Sequence, residues 1–220
     1  RPGGQAYHRF HGPVAVSGKP LDGRELLPAW VRPLTLQSER LRLEPLSQDH
    51  AQGLYNRGRA AGDWAYMPRS CFIDQADCRQ WIEEALARDN QLPFTIIESG
   101  KNKVVGSTRY LNIRPEHRSL EIGWTWLGQE WQRTWVNTEV KLLLLTHAFE
   151  RLGCVRVEFK TDARNLRSQA ALERIGATRE GELRQHMIVQ GGHLRDSVFY
   201  SILDSEWPRV REHLEQLRLR

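Results

Sequence analysis

The sequence predicts an α/β fold: a single mixed, mostly antiparallel twisted sheet flanked by helices. It predicts an N-terminal arm over residues 1–33 and one domain over residues 34–220. Three observations carry this. Between Phe94 and Leu127 apolar residues recur with a period of two, and two hairpin-sized turns interrupt them, which fits consecutive antiparallel strands. Beyond Leu127 the period switches to strand–helix–strand–helix, the pattern of parallel pairing. Finally, Gly191-Gly192 separates two alternating runs and closes the chain with a hairpin.

Along the chain, Arg1 to Pro33 has Gly, Pro and His without a sustained period and ends in the apolar patch Leu26 to Val31, so it reads as an arm packed on the domain. Leu36, Leu41, Leu43 and Leu46 mark a first strand or strand pair, and Ser47 caps a helix through about Gly58. Gly62 to Ser70 reads as a loop. Asp74 is placed to cap a helix through Arg88, with Cys78, Ile82, Ala85 and Leu86 on one face. Strands follow at Phe94–Glu98, Lys103–Ile113 and Leu120–Leu127. A helix over Thr138–Arg151 carries Val140, Leu143, Leu144, His147 and Ala148 as its core stripe and ends at Gly153. Val155, Val157 and Phe159 alternate on a strand, and a second helix, Asn165 to Ile175, stops at Gly176.

Composition narrows the function. With 220 residues, 40% hydrophobic and 27% charged, the chain can bury one sizeable core. Its longest apolar run, Leu142 to Leu145, is far short of the roughly 20 residues a membrane span needs, so no membrane partner is expected. The start, Arg1-Pro2-Gly3-Gly4, reads as a trimmed or renumbered beginning and not as a targeting sequence. Cys71, Cys78 and Cys154 match no common zinc spacing, so no metal is expected and the thiols are read as reduced and cytoplasmic. The net charge of +5 favours anionic partners. Basic residues are spread along the chain and not clustered with aromatics, which makes nucleic acid the weaker choice.

Two segments carry chemistry. Gln132 to Asn137 lies where a strand exit meets a helix, so unsatisfied N–H groups and the positive end of the helix dipole suit a pyrophosphate. Asn165, three residues before Ser168, can cap the next helix and present its amide to a carbonyl. Together, Trp131 to Lys141 and Asp162 to Ser168 resemble the cofactor-binding core of the GCN5-related N-acetyltransferases (GNAT). The nearest branch is the one acting on ribosomal-protein N-termini. Arg156 to Asp162, Gly176 to Gly181 and Arg195 to Leu203 also look like that branch, and the likeness spans about Leu34 to Val210.

The resemblance implies acetyl-CoA as cosubstrate, and as acceptor a primary amine, either a protein N-terminus or a small molecule. In the family the turn reads Gln or Arg, two variable residues, Gly, one variable residue, then Gly or Ala. Here those positions are Gln132, Trp135 and Asn137, and only the first agrees. Asn137-Thr138-Glu139-Val140-Lys141 does follow the branch's continuation. The backbone of Trp135, Val136, Asn137 and Thr138 would then hold the pyrophosphate if the Trp135 ring swings outward; otherwise the ring closes the site and the fold serves as a binding or regulatory module.

By the same likeness, Asn165 contacts the pantetheine arm, and Ser168 or water protonates the leaving thiolate, because the family's later Tyr position is Leu172. The strand edge at Trp124, Thr125, Trp126 and Leu127 would pair with pantetheine and supply the oxyanion donor. Glu121, with Trp124 and Trp126 expected beside it, is the first candidate for general base, ahead of Glu158 and His186. Trp64, in the irregular loop, is the candidate substrate contact. No Cys lies in the cofactor motif, which favours direct attack in a ternary complex. Self-association into a homodimer stays open.

Overall fold

The computed structural model describes residues 30–218. β1 (Leu36–Gln37) and β2 (Leu41–Pro45) lead through a short 3-10 turn into α1 (Ala51–Arg57), then α2 (Gln75–Ala87). β3 (Leu92–Glu98), β4 (Lys103–Arg114) and β5 (Ser119–Leu127) are followed by α3 (Val136–Thr146), β6 (Arg156–Asp162) and α4 (Leu166–Arg174). β7 (Thr178–Val189), β8 (His193–Leu203) and α5 (Trp207–Leu217) complete the described chain. One eight-stranded sheet runs β1-β2-β3-β4-β5-β6-β8-β7, antiparallel throughout except where β5 meets β6. This is the mixed sheet the periodicities predict.

Each face of the sheet packs on its own helices. On one face Leu43, Phe94, Ile96, Tyr110, Leu120 and Phe159 meet Val140 and Leu144 of α3 and Val210 and Leu214 of α5. On the other, Leu54 of α1 and Cys78, Trp81 and Ile82 of α2 join Trp64, Phe72 and Trp126 in a second cluster. Asp74 forms its expected cap, its carboxylate accepting from the Asp77 N–H at 2.8 Å, whereas Ser47 leads into the 3-10 turn Gln48–His50 and α1 begins only at Ala51. Gly191 and Gly192 turn the β7–β8 hairpin with φ of 68° and 74°, a left-handed conformation glycine adopts without a Cβ penalty.

Two elements depart from the sequence reading. The helix expected over Thr138–Arg151 begins at Val136 and widens into a π-helical turn at His147–Arg151. There the Tyr110 hydroxyl donates to the Leu144 carbonyl at 2.7 Å, occupying a group of the helix ladder. Helix α5, not anticipated, has Pro208 in its first turn and buries Trp207, Val210 and Leu214. Most of the expected arm lies outside the described residues. Of its end, the Trp30 indole donates to the Leu152 carbonyl at 2.9 Å and Val31 is buried in the core.

Candidate active site

The site begins where the sheet opens. β5 and β6 pair in parallel only at Ser119↔Arg156, Leu120↔Val157 and Glu121↔Glu158. From Ile122 onward the strands part, and the β5 edge facing β6 has no ladder partner. A bulge sits at the same place. The β4–β5 register shifts between Ser107 and Arg109, and Trp124 takes a φ of 50°, which turns the strand sharply. Open strand edges in protein interiors call for a partner, since their N–H and C=O groups are otherwise unsatisfied. Trp124, Trp126 and Leu127 lie on this edge; the Trp126 ring itself packs in the second core cluster.

Beyond the open edge, the chain turns into α3. The Gln132 side chain fixes that turn, donating to the Leu127 carbonyl at 3.0 Å and to Asp63 at 2.7 Å, and accepting from Arg167 at 3.0 Å. Arg133 holds a φ of 58° inside it. At the start of α3 the Val136 N–H is taken by the Thr134 hydroxyl at 3.3 Å, whereas the N–H groups of Trp135, Asn137 and Thr138 have no partner among the described residues. The Trp135 ring lies over the Arg40 guanidinium at 4.0 Å. Arg40 also pairs with buried Glu139 at 2.7 Å. The ring is thus drawn to the β1–β2 side of α3, while Arg174 of α4 reaches Thr138 on the other flank at 3.1 Å. Trp135 in the glycine position thus leaves these three donors without a partner among the described residues.

Asn165 caps α4, its carbonyl oxygen accepting from the Ser168 N–H at 3.0 Å. The amide nitrogen and the Ser168 hydroxyl have no partner among the described residues, so both can serve a ligand. Asp162, at the end of β6, holds the preceding turn through Arg164. Burial would raise its carboxyl, but the Arg164 contacts outweigh that and keep it below the usual range.

Glu121 is the last β5 residue paired with β6, at the point where the strands part. It is buried, and its carboxylate accepts from Asn112 at 2.7 Å and faces the Lys160 ammonium at 3.4 Å. The tryptophans expected beside it point elsewhere: Trp126 into the second core cluster and Trp124 over Arg109 at 4.5 Å. Lys160 lies two residues along β6 from Glu158, the residue paired with Glu121, and so shares its face, whereas Asn112 follows Leu111, the β4 partner of Glu121, and reaches the carboxylate from an irregular stretch where its own φ is 45°. Of the second choices, Glu158 is tied up by Arg114 at 2.7 Å and Arg156 at 2.8 Å. Burial pushes its carboxyl up, yet these two guanidiniums hold it below the usual range. His186 has its Nδ1 3.1 Å from the Ser197 hydroxyl, and burial together with the charges of Lys160 and Arg195 lowers its pKa, keeping the ring neutral near pH 7.

Residues 40–178 match the family described as Acetyltransferase (GNAT) domain. The chain belongs to the GNAT acetyltransferase family. A crystal structure of an acetyltransferase from T. thermophilus is 36% identical and superposes with a TM-score of 0.79, covering 85% of this chain and 98% of that one. A GCN5-related N-acetyltransferase from Brucella melitensis, 29% identical, gives 0.81 over 85% of this chain and 86% of its own. Among curated relatives, the "Putative ribosomal N-acetyltransferase YdaF" of Bacillus subtilis (strain 168) is 38% identical over 96 residues, 44% of this chain and 51% of that protein. "Uncharacterized N-acetyltransferase YnaD" of the same organism is 23% identical over 78% of this chain and 98% of its own length.

In this GNAT chain, the loop between α1 and α2 packs against the turn that leads into α3. Asp63 binds Gln132, Tyr66 packs against Arg164 at 5.7 Å, and the carbonyls of Trp64, Met67 and Arg69 accept from the Gln190 amide at 2.8, 2.7 and 2.6 Å. Trp64 itself is not on the cleft surface. It is 1% exposed and packs on Phe72 and Trp126 at centroid distances of 5.0 and 5.1 Å, so its ring supports the loop from behind. Sequence reasoning missed Asn112, Lys160, Gln190 and Arg109. Each acts through a partner on another strand or loop, and although Lys160 falls within the family-like stretch Arg156 to Asp162, nothing in that stretch marks its contact with Glu121.

Proposed function

We propose that this chain moves acetyl from acetyl-CoA to a primary amine by direct attack in a ternary complex. The reading rests on one observation: β5 and β6 part at Glu121, and the chain leaving the open edge runs into a helix start with three free N–H groups. Trp135, Asn137 and Thr138 receive the pyrophosphate, with Arg133, Arg167 and Arg174 nearby as counter-charge. The β5 edge from Trp124 to Leu127 pairs with the pantetheine amides, and Asn165 donates its free amide to the same arm. Bound acetyl-CoA supplies the thioester to be attacked.

At the apex, Glu121 takes a proton from the incoming ammonium, directly or through water, so that nitrogen can form the new C–N bond. A backbone N–H at the bulge donates to the carbonyl oxygen as charge develops there. As the C–S bond breaks, the Ser168 hydroxyl or a water protonates the thiolate; Glu121 then releases its proton to solvent. Neither buried thiol competes as nucleophile: burial pushes Cys78 and Cys154 up to about 12. The three free cysteines fit a reducing compartment, the cytoplasm. The ribosomal N-acetyltransferase name of YdaF supports a protein N-terminus as one acceptor class, and a small amine is the other.

The test is thermal unfolding with and without acetyl-CoA, followed by CoA release with an amine panel. Ligand at about 100 times its Kd adds roughly 2.7 kcal/mol to the folded state. An upward shift with amine-dependent CoA release is expected. A flat melt of folded protein would refute the reading and leave a non-catalytic module.

A further inference from the structure

Arg109, on β4, is 2% exposed and has no carboxylate partner among the described residues. Its guanidinium packs over Trp81 at 5.0 Å and over Trp124, the bulge residue, at 4.5 Å. Its one hydrogen bond among the described residues is a long one, to the Gln91 side-chain oxygen at 3.4 Å, and its Nε has no acceptor there. Burial, then the nearby Arg88 charge, brings its pKa down to about 9, so it stays cationic near neutral pH. A buried charge with donors unmet is costly, and such groups are ordinarily paired.

Arg109, Trp81 and Trp124 line a small cavity of about 270 Å³ together with Arg69, Arg88 and Met187 of the β7–β8 hairpin. Trp81 brings a second buried donor without an acceptor, its indole N–H. Arg69 is neutralised by Asp77 at 2.7 Å, and Glu84 is the only acid among the described residues of the lining. The cavity thus offers an excess of donors and positive charge beside the residue where the β5 edge opens. Its size suits one side group and not a whole acceptor.

We propose that this cavity receives a carboxylate of the amine acceptor, bound by Arg109 between the Trp81 and Trp124 rings, so that the chain selects amines carrying a carboxylate close to the amine. The inference rests on the acetyl-transfer reading above. A guanidinium edge matches a planar carboxylate through two parallel hydrogen bonds, and the indole faces supply the low-dielectric walls that strengthen them. Either an amino acid or a peptide with an acidic first residue would present that group.

The test titrates the full chain, with CoA present, by tryptophan fluorescence using matched pairs. L-alanine against L-alaninamide probes the free amino acid, and Asp-Ala-amide against Asn-Ala-amide probes the peptide. One charged member is expected to bind about tenfold or more tighter than its neutral partner, the usual worth of a charge-assisted pair. Arg109→Gln should abolish that preference while acetyl-CoA affinity stays the same; in turnover it should raise the acceptor KM more than it lowers kcat. Arg109→Lys should restore part of it. If Arg109→Gln does not fold, Trp81→Phe removes the orphan indole donor together with part of the ring, keeps an aromatic face under Arg109, and should weaken the charged member selectively. Equal binding within both pairs, no binding by any member, or a preference that survives Arg109→Gln overturns the inference. Acetyl-CoA binding measured on the same samples tells that failure from failure of the acetyl-transfer reading.

Discussion

The two flanks of the β5–β6 opening are built from different materials. On the flank proposed for the cofactor the groups are mostly backbone: three N–H groups at the α3 start and a strand edge without partners among the described residues, beside a capping Asn165. On the flank proposed for the acceptor they are side chains from separate segments: Arg109 against Trp81 and Trp124, Glu121 with Asn112 and Lys160, and Gln190 across three carbonyls. A backbone site tolerates substitution as long as the added side chain has somewhere to go, which is how Trp135 can stand in a glycine position by stacking on Arg40. A side-chain site has no such latitude, because each partner is held by another.

The sharpest test of this contrast is Glu121→Gln. It keeps the Asn112 contact in shape but removes the base, and should lower kcat by about 10² to 10⁴ while the acetyl-CoA Kd stays put. Unchanged turnover would move the role to His186, the neutral imidazole of the same cluster.

Next in size is Lys141, buried beneath the opening with its ammonium 3.1 Å from the Thr125 hydroxyl. Burial lowers its pKa to about 7, against 10.5 for the ordinary group. Between those values the unfolded chain binds more protons than the folded one, so stability should rise with pH from about 7 to 10.5. Lys141→Met should flatten that dependence and stabilise the fold at pH 6 by about 1 to 4 kcal/mol, as replacing a buried charge often does. Melting curves of both proteins across the range decide it. A slope that survives in the variant would assign it to another group.

The smallest effects separate the two kinds of residue within the cofactor flank. Asn165→Ala should lose about 1 kcal/mol of acetyl-CoA affinity and a similar amount of stability through the lost cap. Trp135→Gly should separate the two quantities, lowering Tm through the lost Arg40 stack while the acetyl-CoA Kd holds or tightens. Calorimetric titration of both reads the difference. A large loss of affinity in the Trp135 variant would make the ring a ligand contact and end the case for a purely backbone site.

Much of the fold was legible because its signals are local. Alternation in Leu120 to Leu127, the Asp74 and Asn165 caps and the paired glycines of the β7–β8 turn each act within a few residues. Helix α5 was equally legible, with Pro208 in its first turn and Trp207, Val210 and Leu214 on one face, but it was not read. The π turn was not legible, since it answers to Tyr110, 34 residues before Leu144. Trp64 misled for the same reason: an irregular loop reads as exposed, yet the loop folds its indole into the cluster under Trp126.

By itself, then, the sequence determined the sheet, the caps and the junction where a strand exit meets a helix start, because backbone hydrogen bonding and side-chain period depend on neighbours along the chain. The tertiary structure alone decided where Trp135 turns, which groups hold Glu121, and that Arg109 is buried without a counter-charge among the described residues. Those depend on burial and on partners brought together from separate strands, and no spacing along the chain encodes them.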